Sequence, residues 1–328
     1  MCCVHEKYDD LFSVDNIFDA WKTYRRGKTG KRDVMNFEMH LEDNLFGLYE
    51  DLRTMKYRHG EYTHFQIFDN KKRDICMSPV RDRVVHQIVY DYLLSLYERD
   101  FIFDSYASRT GKGQYKAVQA FQYFLKLSDN SRAPSFVLKC DVRKYFDSID
   151  QNILFCMIRK KVASEKILAV VKEIIFSYDL SVTGKGAPLG NITSQVFANI
   201  YLDVLDKYVK NELKCRFYVR YNDDFVILSE SREKLEKIRN AVVIFVKKNL
   251  LLDIPLQKTC IRKADWGIDF LGFTVLPKVL LLRNKTKNKM YTNIDRQNIH
   301  SYFSILQHCR SHNLKEKILA MEKFGIIW

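Results

Sequence analysis

The pattern of hydrophobic and polar positions predicts a chain made mostly of helices. Apolar residues recur every three or four positions across residues 10–57, and the same spacing returns in several later segments. Roughly the last forty residues are basic and also have a helical pattern. The other predicted helices are residues 79–100, 114–127, 150–162, 164–177, 192–213 and 231–250.

Shorter apolar runs predict strands between these helices. Residues 62–77 and 268–283 each predict a β-hairpin, and residues 135–140 predict a buried strand that ends in Asp141. A further hairpin is predicted over residues 216–229. Strands that are few and separated by helices favour an α+β fold, in which an antiparallel sheet is backed by helices.

Length and charge restrict the kind of partner that we expect. The chain has 328 residues, enough for about two or three packed subdomains. Its 54 lysines and arginines exceed its 40 acidic residues and give a net charge of +14. On a chain with 47% hydrophobic residues, this excess favours a polyanionic partner such as a nucleic acid. The alternative is a solvated basic surface.

The cysteines and the apolar runs bear on location. None of the eight cysteines forms a Cys-x-x-Cys pair or has zinc spacing with a histidine, so we expect a reducing cytoplasm. The first residues contain no apolar core of a signal peptide. No run of about 18 apolar residues occurs, so we expect no contact with a membrane.

Tyr221-Asn222-Asp223-Asp224 is the strongest candidate for chemistry, because it puts two acids in the turn of a hairpin. Adjacent carboxylates repel each other unless a cation lies between them, and Mg²⁺ with oxygen ligands is the cation that we expect. The alternative is a solvated turn. Asp141, at the end of its strand, supplies a third carboxylate. Three carboxylates suit nucleotidyl transfer by two metal ions about 4 Å apart, with Asp141 and Asp223 bridging the ions and Asp224 assisting.

These segments occur in an order that resembles the reverse transcriptases. The strand that ends in Asp141 resembles motif A of that family, and Tyr221–Asp224 resembles motif C. The further matches are to two fingers blocks (residues 72–85 and 101–113), motif B (188–195), motif D (256–259) and the primer-grip hairpin, motif E (270–273).

The resemblance covers about residues 70–275 and implies a right-hand polymerase fold that makes DNA on an RNA template. It implies an N-terminal extension and fingers over residues 1–137, a palm over 138–278 with fingers-side helices at about 151–185, and a short, basic, helical thumb over 279–328. The implied cofactor is a pair of Mg²⁺ ions, for which Mn²⁺ can substitute. The implied partners are an RNA template, a DNA or RNA primer and dNTPs. Because the thumb is short, we add a small accessory protein or a structured non-coding RNA.

The resemblance also assigns roles to single residues. Asp141, Asp223 and Asp224 are implied to be catalytic metal ligands, with Val142 beside them in the metal site. Lys258 resembles the lysine proposed to protonate pyrophosphate; a plain surface lysine is the alternative. The implied nucleotide-binding residues are Lys72, Arg73, Arg81, Phe146, Leu189 and Gly190, and the implied primer grip is Phe270, Leu271, Gly272 and Phe273.

Two of these nucleotide-binding residues, Phe146 and Arg81, carry alternatives. Phe146 stands where the family places a ring against the ribose 2′-hydroxyl, which implies a preference for deoxynucleotides; a core phenylalanine is the other interpretation. Gly190 allows the backbone to approach the template or the incoming base closely. For Arg81, the neighbouring pair Asp82-Arg83 offers a purely structural interpretation.

The motif B segment indicates which kind of reverse transcriptase this is. Group II intron enzymes usually have Gln-Gly-x-x-x-Ser-Pro, whereas this chain has Leu189-Gly190-x-x-x-Ser194-Gln195, which resembles enzymes of diversity-generating retroelements. In that family an aliphatic residue at the first position is associated with error-prone copying of template adenines. Leu189 cannot donate a hydrogen bond to the new base pair, so one check on its geometry is lost.

We therefore rank retroelement mutagenesis first, antiphage defence second and a retron third. Asn222 departs from the Met or Val that is commoner in the retroelement enzymes, although a turn tolerates Asn well. Val182-Thr183-Gly184 precedes motif B, whereas retron enzymes carry this triplet late in the chain. Two alternatives of another class are a catalytically silent RNA-binding protein and an RNA-dependent RNA polymerase.

Overall fold

The computed structural model describes residues 7–68, 72–127, 136–178, 184–295 and 297–323. The contacts divide these residues into two compact units. The first unit takes the described parts of residues 1–101, 143–205 and 246–252, and the second takes those of 102–142, 206–245 and 253–328. These units cut across the fingers, palm and thumb boundaries, so that division stays a prediction. No helix within the described residues is both long enough and apolar enough to cross a membrane.

Helices and strands alternate along the chain much as the sequence predicts. The helices are α1 (Tyr8–Leu11), α2 (Val14–Arg25), α3 (Arg32–Glu38), α4 (Leu41–Arg53), α5 (Val80–Tyr97), α6 (Gln114–Lys126), α7 (Tyr145–Ser148), α8 (Gln151–Arg159), α9 (Glu165–Phe176), α10 (Ile192–Lys207), α11 (Arg232–Leu250), α12 (Asn284–Asn293), α13 (Ile299–Leu306) and α14 (His312–Lys323). The strands are β1 (Thr63–Phe68), β2 (Lys72–Met77), β3 (Phe136–Asp141), β4 (Tyr218–Tyr221), β5 (Asp224–Ser229), β6 (Cys260–Lys263), β7 (Ile268–Phe270), β8 (Phe273–Val275) and β9 (Leu280–Leu282).

The first unit consists of helices and one antiparallel hairpin, β1–β2, whose register begins at Thr63 opposite Met77. Side chains cap two of its helices where the sequence predicts a start. The Asp150 carboxylate accepts the amide of Ile153 at 3.0 Å in front of α8, and the Ser164 hydroxyl accepts the amide of Ile167 at 3.4 Å in front of α9. These caps confirm the predicted helix starts.

The second unit contains a four-stranded antiparallel sheet in the order β4-β5-β3-β6. Its edge strand β6 was not predicted. At the other edge, the loop before α6 lies along β4: the amide of Arg220 donates to the carbonyl of Asp104, and the amide of Tyr106 donates to the carbonyl of Arg220, both at 3.0 Å. On β6, Arg262 and Lys263 are exposed.

A second antiparallel sheet in this unit has the order β7-β8-β9, one strand more than the predicted hairpin. Phe270 and Phe273 on its first two strands are buried, and the Phe270 ring meets Phe121 of α6 edge-on with centroids 5.5 Å apart. Met290 of α12 and Leu306 of α13 complete the same core. Mixed helices and antiparallel sheets confirm the predicted α+β class. Helix α10 differs from the helix predicted over residues 192–213, because its last part, Tyr208–Glu212, is a π-helical turn.

Candidate active site

Three acids meet at one end of the four-stranded sheet. The register of β3 and β5 places Asp141 directly opposite Asp224. Asp223 lies in the two-residue loop between Tyr221 and Asp224, which are themselves paired. The amide of Val142 donates to the carbonyl of Asp223 at 3.3 Å, which ties the end of β3 to this loop. The sheet therefore brings together the three acids that the sequence singles out.

The loop between β4 and β5 has a left-handed residue at its first position, Asn222, with φ of 51°. Asparagine tolerates this conformation better than most residues other than glycine. The expectation that this turn accepts Asn is therefore confirmed. A β-branched residue would be strained at the same φ.

A buried ion pair that the sequence analysis missed supports this loop from within the unit. Arg220 and Asp206 are both completely buried, and the guanidinium donates to the two carboxylate oxygens at 2.7 and 2.6 Å. The same guanidinium donates to the carbonyl of Asn222 at 3.1 Å and to the hydroxyl of Ser105 at 3.0 Å. Tyr218 also donates to Asp206, at 2.6 Å. The sequence signal was an arginine inside an otherwise apolar strand.

Two lysines lie against the acids. Lys258, the last residue of the 3-10 turn Leu256–Lys258, forms an ion pair with Asp141. The Nζ atom of Lys139 lies 3.2 Å from the Oδ2 atom of Asp224. These ammonium groups supply positive charge between carboxylates that would otherwise repel one another. Sequence reasoning had singled out Lys258 but not Lys139.

Asp224 has the surroundings expected of a metal ligand. Its Oδ1 atom is buried and has no hydrogen-bond partner among the described residues. Burial raises the pKa of Asp224 to about 6; Lys139 opposes this rise, and the charges of Asp141 and Asp223 add to it. A divalent cation would satisfy the unpartnered oxygen and favour the ionised form, and oxygen is the donor that Mg²⁺ prefers.

The acids are nevertheless not arranged as a ready-made cluster. Across the described parts of the chain, no three His, Cys, Asp or Glu side chains are grouped so that they could hold one ion. In the same arrangement, an ion pair with Lys258 occupies a carboxylate oxygen of Asp141. The carboxylate oxygens of Asp141, Asp223 and Asp224 are donors of the kind that Mg²⁺ prefers.

The motif B residues lie in the first unit, against β2. The carbonyl of Leu189 accepts the amide of Cys76 at 2.9 Å. Gly190 has φ of 119°, and a Cβ atom there would lie 2.9 Å from the Cγ2 atom of Ile75. The close approach that requires glycine is thus an approach to β2, and an approach to a base stays a prediction. Asn191 fixes the same contact, because its side chain accepts from the hydroxyl of Ser78 at 2.7 Å.

Phe146 lies in the short helix α7 and is half-buried. It is therefore not a fully buried core phenylalanine, and it is not fully exposed either. Its carbonyl accepts the amide of Ala187 at 2.8 Å, and the hydroxyl of its neighbour Tyr145 donates to the carbonyl of Ala198 at 2.6 Å. These bonds fix the backbone that carries the ring.

The predicted arginines differ in how they are engaged. Arg81 forms an ion pair with Asp51. Arg83 pairs with Asp33 at 2.5 Å, so the suggested pair of Asp82 with Arg83 is not what holds it. Asp82 instead accepts from the hydroxyl of Tyr57 at 2.8 Å. The side chains of Lys72 and Arg73 lie outside the described residues.

The predicted primer-grip residues form the turn between β7 and β8. Leu271 and Gly272 both have positive φ, 48° and 85°, while Phe270 and Phe273 on either side are buried. The carbonyl of Leu271 accepts the side-chain amide of Gln114 at 2.7 Å. The turn is thus anchored by its two aromatic flanks and by α6.

Comparisons with known proteins bear on the family of the chain. The family described as reverse transcriptase (RNA-dependent DNA polymerase) matches residues 57–275. Protein YkfC of Escherichia coli (strain K12) is 23% identical over 248 residues, which cover 64% of this chain and 65% of YkfC. The group II intron-encoded protein LtrA of Lactococcus lactis subsp. cremoris is 22% identical over 273 residues, covering 62% of this chain and 44% of LtrA. The chain thus spans less than two thirds of the length of these relatives.

Solved structures give the same result for the fold. Apo telomerase from Candida tropicalis superposes with a TM-score of 0.52 at 13% identity, covering 76% of this chain and 52% of that one. Telomerase from Candida albicans, in complex with a fragment of telomeric RNA, gives a TM-score of 0.50 at 13% identity, covering 74% and 52%. At this identity the likeness concerns the fold, and it confirms the predicted polymerase architecture.

Proposed function

The chain belongs to the reverse transcriptase family, and from this membership we propose that it is an RNA-directed DNA polymerase. It would copy an RNA template into DNA by nucleotidyl transfer, using dNTPs and a DNA or RNA primer. The observation that carries the proposal is the register of β3 and β5, which sets Asp141 opposite Asp224 beside the loop of Asp223. The buried Oδ1 atom of Asp224, which has no hydrogen-bond partner among the described residues, adds a ligand position for a cation.

In this proposal Asp141, Asp223 and Asp224 hold two Mg²⁺ ions, or Mn²⁺ in their place, with Val142 at the same strand end. Bound there, the ions would activate the primer 3′-hydroxyl and neutralise the leaving pyrophosphate. The primer 3′-hydroxyl would lose its proton to solvent as its oxygen bonds to the α-phosphorus of the dNTP, and the bond from that phosphorus to pyrophosphate would break. The residues contribute position and fixed charge rather than covalent chemistry.

Lys258 is the proton donor in this scheme. Its ammonium group is already at the acids through its ion pair with Asp141, and both side chains are about one-third exposed, at 36%. With Asp141 holding an ion, the Nζ atom of Lys258 would be available to give a proton to an oxygen of the departing pyrophosphate. This contact with a proposed metal ligand is what supports the catalytic role over that of a plain surface lysine.

We assign nucleotide selection to residues of the first unit. Phe146 would exclude a ribose 2′-hydroxyl, and Leu189 and Gly190 would lie against the template or the incoming base. Lys72 and Arg73 would contact the triphosphate. The ion pair of Arg81 with Asp51 weakens its assignment, because its guanidinium already has a structural partner. The primer grip would be formed by Phe270, Leu271, Gly272 and Phe273.

The biological role that we propose is error-prone copying in a diversity-generating retroelement. Leu189 and Gln195 support it, because this motif B departs from the Gln-Gly-x-x-x-Ser-Pro pattern usual in group II intron enzymes. Antiphage defence with a structured non-coding RNA is the second candidate, since several defence enzymes share a similar motif B. A neighbouring template and variable repeat, with a small accessory gene, would separate the first role from the second.

Primer extension on an RNA template with Mg²⁺ tests the activity. The wild-type protein should extend a DNA primer, and Asp223→Ala should lower the rate at least about a hundredfold, because a charge-stabilising group is lost. The matched control is Asp265→Ala, an exposed acid of the same unit, which should keep the wild-type rate. If the wild-type protein bound RNA but did not extend the primer, the silent RNA-binding alternative would stand.

Two further variants test the finer assignments. Phe146→Ala should admit NTPs that the wild-type protein rejects; unchanged rejection would remove Phe146 as the sugar gate, and equal use of NTPs by the wild-type protein would favour an RNA polymerase. Leu189→Gln should reduce misincorporation opposite template adenine, because glutamine restores a hydrogen-bonding group. An unchanged error rate at adenine would speak against the retroelement role.

A further inference from the structure

Lys139 makes contacts at both of the sheets in the second unit. It lies on β3, an interior strand of the four-stranded sheet, where it is opposite Val226 of β5 and Cys260 of β6. Because side chains alternate along a strand, Lys139 points to the same face as Asp141, two positions later. The backbone that carries Lys139 is held by strands on both sides, and this limits the positions that its side chain can take.

The ammonium group of Lys139 contacts two different parts of the proposed active site. The Nζ atom lies 3.2 Å from the Oδ2 atom of Asp224, and it donates to the main-chain carbonyl of Asp269 at 2.7 Å. Asp269 is on β7, the residue before the primer-grip turn. A single ammonium group thus joins a proposed metal ligand to the strand that carries the primer grip.

Asp269 is itself firmly held. Its Oδ1 atom accepts from the hydroxyl of Thr274 on β8 at 2.8 Å, and its Oδ2 atom pairs with Arg283 at 2.7 Å. The amide of Arg283 also donates to the carbonyl of Gly272, at 3.1 Å. The carbonyl to which Lys139 donates therefore belongs to a braced element, and displacement of that element would be felt at Asp224.

The two oxygens of Asp224 are treated differently. Lys139 holds Oδ2, whereas Oδ1 is buried without a hydrogen-bond partner among the described residues. A carboxylate gripped at one oxygen has a fixed rotation about its side chain, so the second oxygen points in a fixed direction. The grip on Oδ2 therefore determines where Oδ1 is presented.

From these contacts we infer that Lys139 is a positioning residue, which sets the carboxylate of Asp224 in register with the primer-grip hairpin. The inference rests on the proposed polymerase function. Lys139 touches neither the nucleotide nor the reacting atoms in this account; it acts through Asp224 and Asp269. Its purpose is to keep the cation ligand and the primer end at a constant separation during each addition.

The test is single-nucleotide incorporation on an RNA template with an annealed DNA primer, at saturating Mg²⁺. Lys139→Met keeps an unbranched side chain but removes the ammonium group. We expect kcat to fall at least about tenfold, because misplacement by a fraction of an ångström is costly in such sites, while the KM for dNTP stays within about twofold. Lys139→Arg should recover part of the loss. Lys263→Met, an exposed lysine on the neighbouring strand β6, is the matched control.

Two further readouts separate positioning from other roles. Asp269→Ala releases the braces on β7, so the double variant with Lys139→Met should be no slower than the slower single variant; multiplied losses would overturn the bridge. Calorimetry with Mn²⁺ should show binding to Lys139→Met that is as tight as to the wild type or tighter, because a positive charge near the acids is gone. Weaker Mn²⁺ binding would mean that Lys139 serves the ion site alone.

The outcomes are distinguishable from failure of the proposed function. A wild-type protein that extends no primer contradicts the polymerase itself. An active wild-type protein with an equally active Lys139→Met variant contradicts only the inference about Lys139. If Lys139→Met does not fold, Lys139→Gln, which keeps a hydrogen-bond donor without the charge, takes its place in the same assays.

Discussion

Replacing Arg220 with methionine should destabilise the second unit strongly. Arg220 and Asp206 are completely buried, and the guanidinium makes two bonds to the carboxylate and one each to Asn222 and Ser105. Removing one member of a buried ion pair leaves the other charge uncompensated, which costs about 3–5 kcal/mol. A second change, Asp206→Asn, removes that charge and keeps an oxygen for the hydroxyl of Tyr218.

The double variant should therefore be more stable than Arg220→Met alone. Its remaining loss is that of a few hydrogen bonds, about 1–3 kcal/mol in total. Urea unfolding followed by circular dichroism measures both values, and the control Arg262→Met, an exposed position on β6, should change stability by less than about 0.5 kcal/mol. A loss below about 1 kcal/mol in Arg220→Met, or a double variant less stable than the single one, would refute this account of the buried pair.

The remaining predictions concern single positions. Gly190→Ala should lower the free energy of unfolding by about 1–3 kcal/mol, measured by thermal unfolding, because φ is 119° and the new Cβ would lie 2.9 Å from a side-chain carbon of β2. The control Gly111→Ala, with φ of 71° and nothing within 4 Å of the Cβ, should lose less stability. Equal losses in the two variants would exclude a packing effect at Gly190. His86→Gln should flatten the pH dependence of stability. Burial lowers the pKa of His86, and neighbouring positive groups lower it further. Below about pH 6.5 the unfolded chain therefore takes up a proton that the folded chain does not, and the free energy of unfolding falls by up to about 1.4 kcal/mol for each unit by which the pH is lowered. An unchanged slope between pH 7.5 and 5 in the variant would contradict this. Lys258→Met should lower both the maximal extension rate and the Mg²⁺ concentration at half-maximal rate, because the lysine competes with the ion for Asp141; an unchanged Mg²⁺ dependence would show that no such competition occurs.

The features that the sequence predicted well are those set by neighbouring residues. Asp150 and Ser164 cap helices by accepting hydrogen bonds from amides three residues later, and a few neighbouring residues are enough to predict such bonds. The hairpin around Asn222 is equally local, because two β-prone runs are separated by residues that favour a turn. The pairing of Asp141 with Asp224 is a long-range contact: the sequence predicted that the two acids share one site, but not the strand register that sets them opposite each other.

The features that were missed depend on residues far apart in the chain. Strand β6 has a mixed polar pattern that does not predict a strand, and it is extended because it pairs with the side of β3 that β5 leaves unpaired. Arg220 is buried because Asp206, on another element, supplies its counter-charge. Lys139 could have been found, since the two-residue period of a strand places it on the face of Asp141, but its partner Asp269 lies 130 positions along the chain.

The two edges of the four-stranded sheet have a consequence for the behaviour of the protein at high concentration. The loop at Asp104–Tyr106 uses backbone groups of β4 that would otherwise pair with another chain, and β6 carries the exposed charges of Arg262 and Lys263. Exposed strand edges are templates for intermolecular β-pairing, and covering one edge while charging the other suppresses it. Loosening the 104–106 loop should therefore expose backbone groups of β4 and promote aggregation through the four-stranded sheet.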